Sequence, residues 1–220
     1  MPLGECSPGD WPEKVVTLFA RVTMIQAVPE RVESVIQHIR DTVIPQLQEF
    51  SGFQGYLRLG GRRTGKGAAI TLWETEDQLR ASESVSAQAR LQREQIAQMA
   101  QAPTVEIYEV AAHSGPLTHS ASGSYARMTT AAVSPSGVQP ILDWIQGTTF
   151  PTARGMEGFQ GGYSLIDRNG GKAMAVSLWE SEERLRAVEG QLDQLRAQGA
   201  QVGGATQPPT TETFEIVINV

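Results

Sequence analysis

The sequence predicts an α+β protein made of two tandem ferredoxin-like units, each β-α-β-β-α-β. Their antiparallel sheets are expected to face each other and close into one α/β barrel, helices outside. Three observations predict it. GFQG at Gly52–Gly55 returns at Gly158–Gly161, and LWETEDQLRA from Leu72 returns as LWESEERLRA from Leu178. At that offset, about a third of the positions from Phe19 to Val110 are identical without a gap, the mark of a duplicated domain. Within each copy the hydrophobic period switches between two and about 3.6 residues, as strands give way to helices. The organisation expected is an N-terminal extension over 1–14, a first repeat over 15–112, a linker over 113–123 and a second repeat over 124–220.

Each element follows in order. VVTLFARVTMI is rich in β-branched and apolar residues and predicts the first strand. Pro29 is placed to open a helix, in which Val32, Val35, Ile36, Ile39, Val43 and Leu47 recur at helical spacing. GFQGYLRL and GAAITLW predict two strands joined by a glycine-rich turn, which in the second copy contains Asn169-Gly170. A second helix is expected from about Thr75 to Met99, and TVEIYEVAA is the last strand. Alternation divides the strands into two phases. Ala20, Val22, Leu57, Leu59, Ile70, Leu72, Val105 and Ile107 are expected to meet the helices. Phe19, Arg21, Thr23, Tyr56, Arg58, Thr71, Trp73, Glu106 and Tyr108 are expected to face the lumen. There Arg21 with Glu106, and Arg127 with Glu212, would form structural charged pairs.

The 220 residues, 40% of them hydrophobic, suffice for a sizeable core. A formal net charge of −6 without a Lys/Arg cluster argues against a nucleic-acid partner. No apolar run is long enough to span a membrane, and the N-terminus lacks an apolar signal core. With a single cysteine, Cys6, these features predict a cytoplasmic protein. GGRRTGKG at Gly60–Gly67 approaches a phosphate-binding loop, but Gly67 stands where a hydroxyl would hold Mg²⁺ and a strand follows, so a hairpin turn is expected. His38, His113 and His119 have no metal-ligand spacing, so no metal is expected, and His38 is expected at the surface.

A strand carrying Arg21 or Arg127, a proline-opened helix, GFQG and LWE[ST]E resemble the antibiotic-biosynthesis-monooxygenase group of the dimeric α/β-barrel superfamily. The resemblance covers nearly the whole chain, once per repeat. It implies a barrel in which the usual dimer is fused into one chain, with further homo-oligomerisation left open. Haem-degrading relatives use an Asn on the first strand, and a Trp and a His on the second helix. The matching positions here are Ala20 and Ala126, Ser82 and Val188, Gln92 and Gln198, so the resemblance does not extend to haem and no cofactor is expected. Other relatives oxygenate quinols without metal or flavin. The function expected is a cofactor-independent monooxygenase acting on a small aromatic or quinol substrate. The alternatives are a non-catalytic small-ligand or stress-related barrel, or an isomerase or cyclase. Its pocket is expected between helices and sheet of the second repeat, lined by Met128, Leu165, Val176 and Leu178 near Trp73 and Trp179. Tyr163, whose counterpart is Leu57, is the catalytic candidate.

Overall fold

The computed structural model describes residues 18–61, 63–99, 102–115, 123–205 and 207–220. The expected extension, with Cys6, and His119 of the linker lie outside them. The first half runs β1 (Leu18–Gln26), α1 (Val32–His38), α2 (Ile44–Gln48), β2 (Phe53–Gly60), β3 (Lys66–Trp73), α3 (Glu76–Ala81), α4 (Glu83–Ala97) and β4 (Thr104–Ser114). The second half repeats that order as β5 (Tyr125–Ala132), α5 (Val138–Trp144), α6 (Phe150–Arg154), β6 (Phe159–Asp167), β7 (Lys172–Trp179), α7 (Glu182–Ala187), α8 (Glu189–Val202) and β8 (Thr210–Asn219). The eight strands close into one antiparallel barrel in the order β1-β3-β2-β8-β5-β7-β6-β4. The halves are stitched together twice, by β2 against β8 and by β4 against β6. At the first seam Tyr56 N donates to Val220 O at 2.6 Å, and Val220 N donates back to Tyr56 O at 3.0 Å. No helix among the described residues is long and apolar enough to cross a membrane.

The helices depart from the expected two per repeat in an instructive way. Pro45 and Pro151 lack the N–H that an α-helix needs. Just ahead of them the chain widens into π turns at Ile39–Val43 and Ile145–Thr149, which separate α1 from α2 and α5 from α6. The expected helix from Thr75 to Met99 breaks at Ser82, whose hydroxyl donates to Leu79 O at 2.7 Å. Thr75 and Ser181 cap α3 and α7 by accepting from Gln78 N and Arg184 N. Gly52 and Gly158 sit at φ +81° and +85° where the helices exit toward β2 and β6, as only glycine does readily. The stretch Gly60–Gly67 is a hairpin turn, with Gly61 N donating to Lys66 O at 2.8 Å.

The strand faces are reversed from expectation for most of the sheet. One buried cluster gathers Ala20, Val22, Leu57, Leu59, Ile70, Leu72, Ala126, Met128, Leu165, Val176, Leu178 and Ile216 with other residues of all eight strands, and no helix residue belongs to it. This is the barrel lumen. A closed eight-stranded barrel leaves room only for its own side chains, and aliphatic residues fill most of it, with Tyr108, Tyr163 and Phe214 among them. Tyr56, Ala69 and Trp73 pack instead against Val35, Ile36, Ile39, Val43 and Leu47 of the helices. On β4 the expected phase holds, because Ala20 pairs with Tyr108 and Val22 with Glu106, and it is the other three strands of the first repeat that are turned over. Tyr108 therefore joins the lumen cluster, while Ile107 packs on the helix side.

Candidate functional site

Arg21 and Arg127 sit at the centres of β1 and β5 on the helix-facing side, so neither is a lumen residue. Arg21 donates Nη1 to Ser82 Oγ at 3.0 Å and to Ser86 Oγ at 2.5 Å. Its Nη2 donates to Leu79 O at 2.7 Å and lies 2.8 Å from Glu83 Oε2. The broken turn at Ser82 is what presents this carbonyl and hydroxyl to the guanidinium. In the second repeat Val188 and Leu192 occupy the places of Ser82 and Ser86. Arg127 keeps the carboxylate of Glu189, the counterpart of Glu83, through Nη2, and gains Asp193, where the first copy has Ala87, with Oδ1 at 3.3 Å. Its Nε and Nη1 are buried without a hydrogen-bond partner, although the residue is only 5% exposed.

Arg127 lines a cavity of about 150 Å³ between the sheet and α5, α6 and α8. Its walls are mostly apolar, with Ile141, Ile145, Phe150, Leu192 and Leu195 from the helices and Ala173 and Ala175 from β7. Thr129, Ser164, Ser177 and the indole of Trp144 add polar groups, and Trp144 Nε1 is also buried without a partner. The equivalent space in the first repeat is about 20 Å³. The substitutions between copies explain the difference. Tyr56, Arg58, Leu47 and Arg93 become Gly162, Ser164, Ala153 and Gly199, each a large side chain exchanged for a small one. Gly199 also lets Trp144 close in, because a Cβ there would sit 3.4 Å from Trp144 Nε1.

The structure gathers only part of the sequence-derived site. Met128, Leu165, Val176 and Leu178 belong to the lumen cluster, although Val176 also touches the cavity floor. Trp73 and Trp179 are fully buried under the helices and stack edge-on against Phe53 and Phe159, with centroids 5.5 and 5.4 Å apart. Each indole donates Nε1 to the neighbouring hydroxyl, Thr71 at 3.0 Å and Ser177 at 2.9 Å. Neither lines the cavity. Tyr163 borders the cavity floor, but its side chain is part of the lumen cluster and burial pushes its phenol well above the usual range. That is the wrong direction for a proton acceptor.

Glu106 and Glu212 do lie on the lumen phase, at the barrel's rim, but their partners are lysines of the opposite repeat. Lys172 donates to Glu106, and Lys66 to Glu212. Burial tends to raise the Glu106 carboxyl, and hydrogen bonds from Lys172 and from Tyr108 at 2.7 Å outweigh it, leaving it below the usual value. The expected pairs with Arg21 and Arg127 fail because those arginines are on the other face of the sheet. His38 is half-buried rather than free at the surface. His113 pairs with Tyr163 at the end of β4. Among the described residues, no group of three or more His, Cys, Asp or Glu is gathered as a metal site. Strand alternation alone passes over Arg127's freedom and the cavity-opening glycines. Comparison of the two copies position by position would have found both.

No protein-family model matches the chain. It is 30% identical over 202 residues to the uncharacterized protein Rv2557 of Mycobacterium tuberculosis, a match that covers 91% of this chain and 88% of the relative. Among solved structures it resembles an anthrone oxidase-like protein at a TM-score of 0.68 and 16% identity, over 98% of this chain and 95% of the other. It also resembles a ferredoxin-fold protein from Listeria monocytogenes related to antibiotic biosynthesis monooxygenases, at a TM-score of 0.52 and 11% identity, over 91% and 95% of the two chains.

Proposed function

From the premise that this chain belongs to the family of the mycobacterial protein Rv2557, and from its fold and cavity, we propose that it is a monooxygenase-type oxidoreductase acting on a small phenol or quinol in the second repeat. The observation that carries this reading is Arg127, a buried cation with two unused N–H donors on the wall of an apolar cavity. A cavity of about 150 Å³ is the size that accepts benzene in an apolar protein core, so the substrate class is a single ring. Arg127 would bind the ring oxygen as phenolate, lowering the phenol's pKa, and the proton would leave to water past the half-exposed Glu189 and Asp193. An electron-rich quinolate needs no added reductant. It passes one electron to O₂, the resulting radicals join at a ring carbon, and O–O cleavage releases water. The balance is hydroquinone plus O₂ giving hydroxyquinone plus H₂O. The protein's part is to exclude water, hold the ring and stabilise the anion.

The test is oxygen uptake with a panel of substituted hydroquinones. Arg127→Met is expected to lower kcat/KM by about 100-fold or more, the usual effect of removing one anion-stabilising donor. Its melting temperature should change little, because Glu189 and Asp193 are exposed enough to stay hydrated without it. A second reading is a binding barrel without turnover, and Tyr163 favours it, since the phenol of this cavity-floor residue is packed in the lumen and pushed away from acid–base use. Saturable quinol binding with no oxygen uptake would establish that alternative.

A further inference from the structure

We propose that the first repeat holds a buried monovalent anion of halide size in the small cavity beneath α4, bounded by Arg21, Tyr56, Ser86 and Arg93. Charge is the first argument. Arg21, Arg90 and Arg93 line the cavity, Arg58 lies on the same side of the sheet, and Arg21, Arg58 and Arg93 are 3%, 1% and 5% exposed. Glu83 is the carboxylate that serves them, pairing with both Arg21 and Arg90. Among the described residues no carboxylate comes within ion-pair distance of Arg58 or Arg93. Arg58 Nη1 donates to Leu59 O at 2.7 Å and Ala68 O at 3.0 Å, and Arg93 Nε donates to Ala89 O at 3.1 Å. Carbonyl dipoles satisfy those protons and leave the charges uncompensated, which a dry interior does not tolerate well.

Hydrogen bonding is the second, independent argument. Tyr56 and Arg21 both line this cavity, and the Tyr56 hydroxyl and Arg21 Nε are buried without a hydrogen-bond partner. Thr23 and Thr71 bring further hydroxyls to the same wall. Burial outweighs the opposing effect of Tyr56 and, with Arg93 alongside, draws the Arg58 guanidinium down to about 10, a direction that a bound anion would reverse.

Size selects the ligand. About 20 Å³ exceeds the roughly 10–15 Å³ that one water requires, and is too small for a carboxylate, phosphate or sulfate. A water would satisfy Tyr56 and leave the guanidiniums unneutralised, whereas a chloride answers both. The second repeat has exchanged Tyr56, Arg58 and Arg93 for Gly162, Ser164 and Gly199, so its counterpart space is an apolar ligand cavity. Duplication has thereby separated an ion-filled, structural copy from an open one.

The experiment is thermal unfolding of the full chain, dialysed free of halide, titrated with sodium chloride, bromide or sulfate at matched ionic strength. Chloride and bromide should raise the melting temperature saturably and sulfate should not. Tyr56→Phe is expected to raise the half-saturating chloride concentration at least five-fold, and Arg93→Met to abolish the halide effect. Crystals grown in bromide should show an anomalous peak within hydrogen-bonding distance of Tyr56 Oη. Equal effects of chloride and sulfate, or a water with no anomalous signal at that place, would overturn the proposal.

Discussion

Arg21 and Arg127 are the same residue at the same point of the same strand, and their neighbours decide what each can do. Two serines and a carbonyl use most of Arg21's donors; a valine and a leucine leave Arg127 with donors to offer. His38 shows the reverse dependence on context. Burial, and then Arg93, hold its imidazole below the usual value near 6.5, while Asp41 works the other way. Its Nε2 is buried without a partner. The unfolded chain therefore binds the proton more readily than the native one, and stability falls as pH drops through the ordinary histidine range. His38→Gln should flatten the acid side of the stability profile below about pH 6.5, measured by urea unfolding at a series of pH values. An unchanged slope would show that His38 titrates normally.

Helices and strands differ in how openly the sequence displays them. The β-α-β-β-α-β order, the glycine-rich turn and the duplication are all legible, because periodicity and turn chemistry are local properties. Which strand face points inward is not local. A closed barrel under helices buries both faces, so alternation separates Ala20 and Val22 from Arg21 and Thr23 without saying which pair is inside. Long residues such as Arg21, Tyr56 and Trp73 fit under helices, which yield around them and supply caps and carboxylates; the lumen does neither. A cavity does open between helices and sheet of the second repeat, but its lining follows the opposite phase from the one expected. The cavity depends on element packing, as α6 shows. Ala153 stands where Leu47 fills the first repeat. Ala153→Leu should raise stability by about 0.5–2 kcal/mol by filling space, and should abolish ring binding. Calorimetry of unfolding and of quinol titration would measure both, and unimpaired binding would place the ligand elsewhere.

At the scale of the whole molecule, the covalent link between repeats is a minor part of what joins them. The lumen cluster draws on all eight strands, and two backbone ladders cross the seam. The rim pairs Lys66–Glu212 and Lys172–Glu106 also cross it, but each is partly exposed and adds about 0–1 kcal/mol. A protease site placed between Gly115 and Gly123 should therefore be cleavable without dissociation. The halves should co-elute as a one-to-one complex in size-exclusion chromatography, and either half expressed alone should self-associate. Separation on cleavage would mean that the tether supplies the affinity. The seam between β2 and β8 also governs how the protein is made. A ribosome releases the first repeat with the β2 edge unpaired and its aliphatic lumen face open, and both stay so until residues 210–220 emerge to cover them. Nascent chains thus carry an adhesive edge through most of translation, and chaperone demand should be greatest just before synthesis ends.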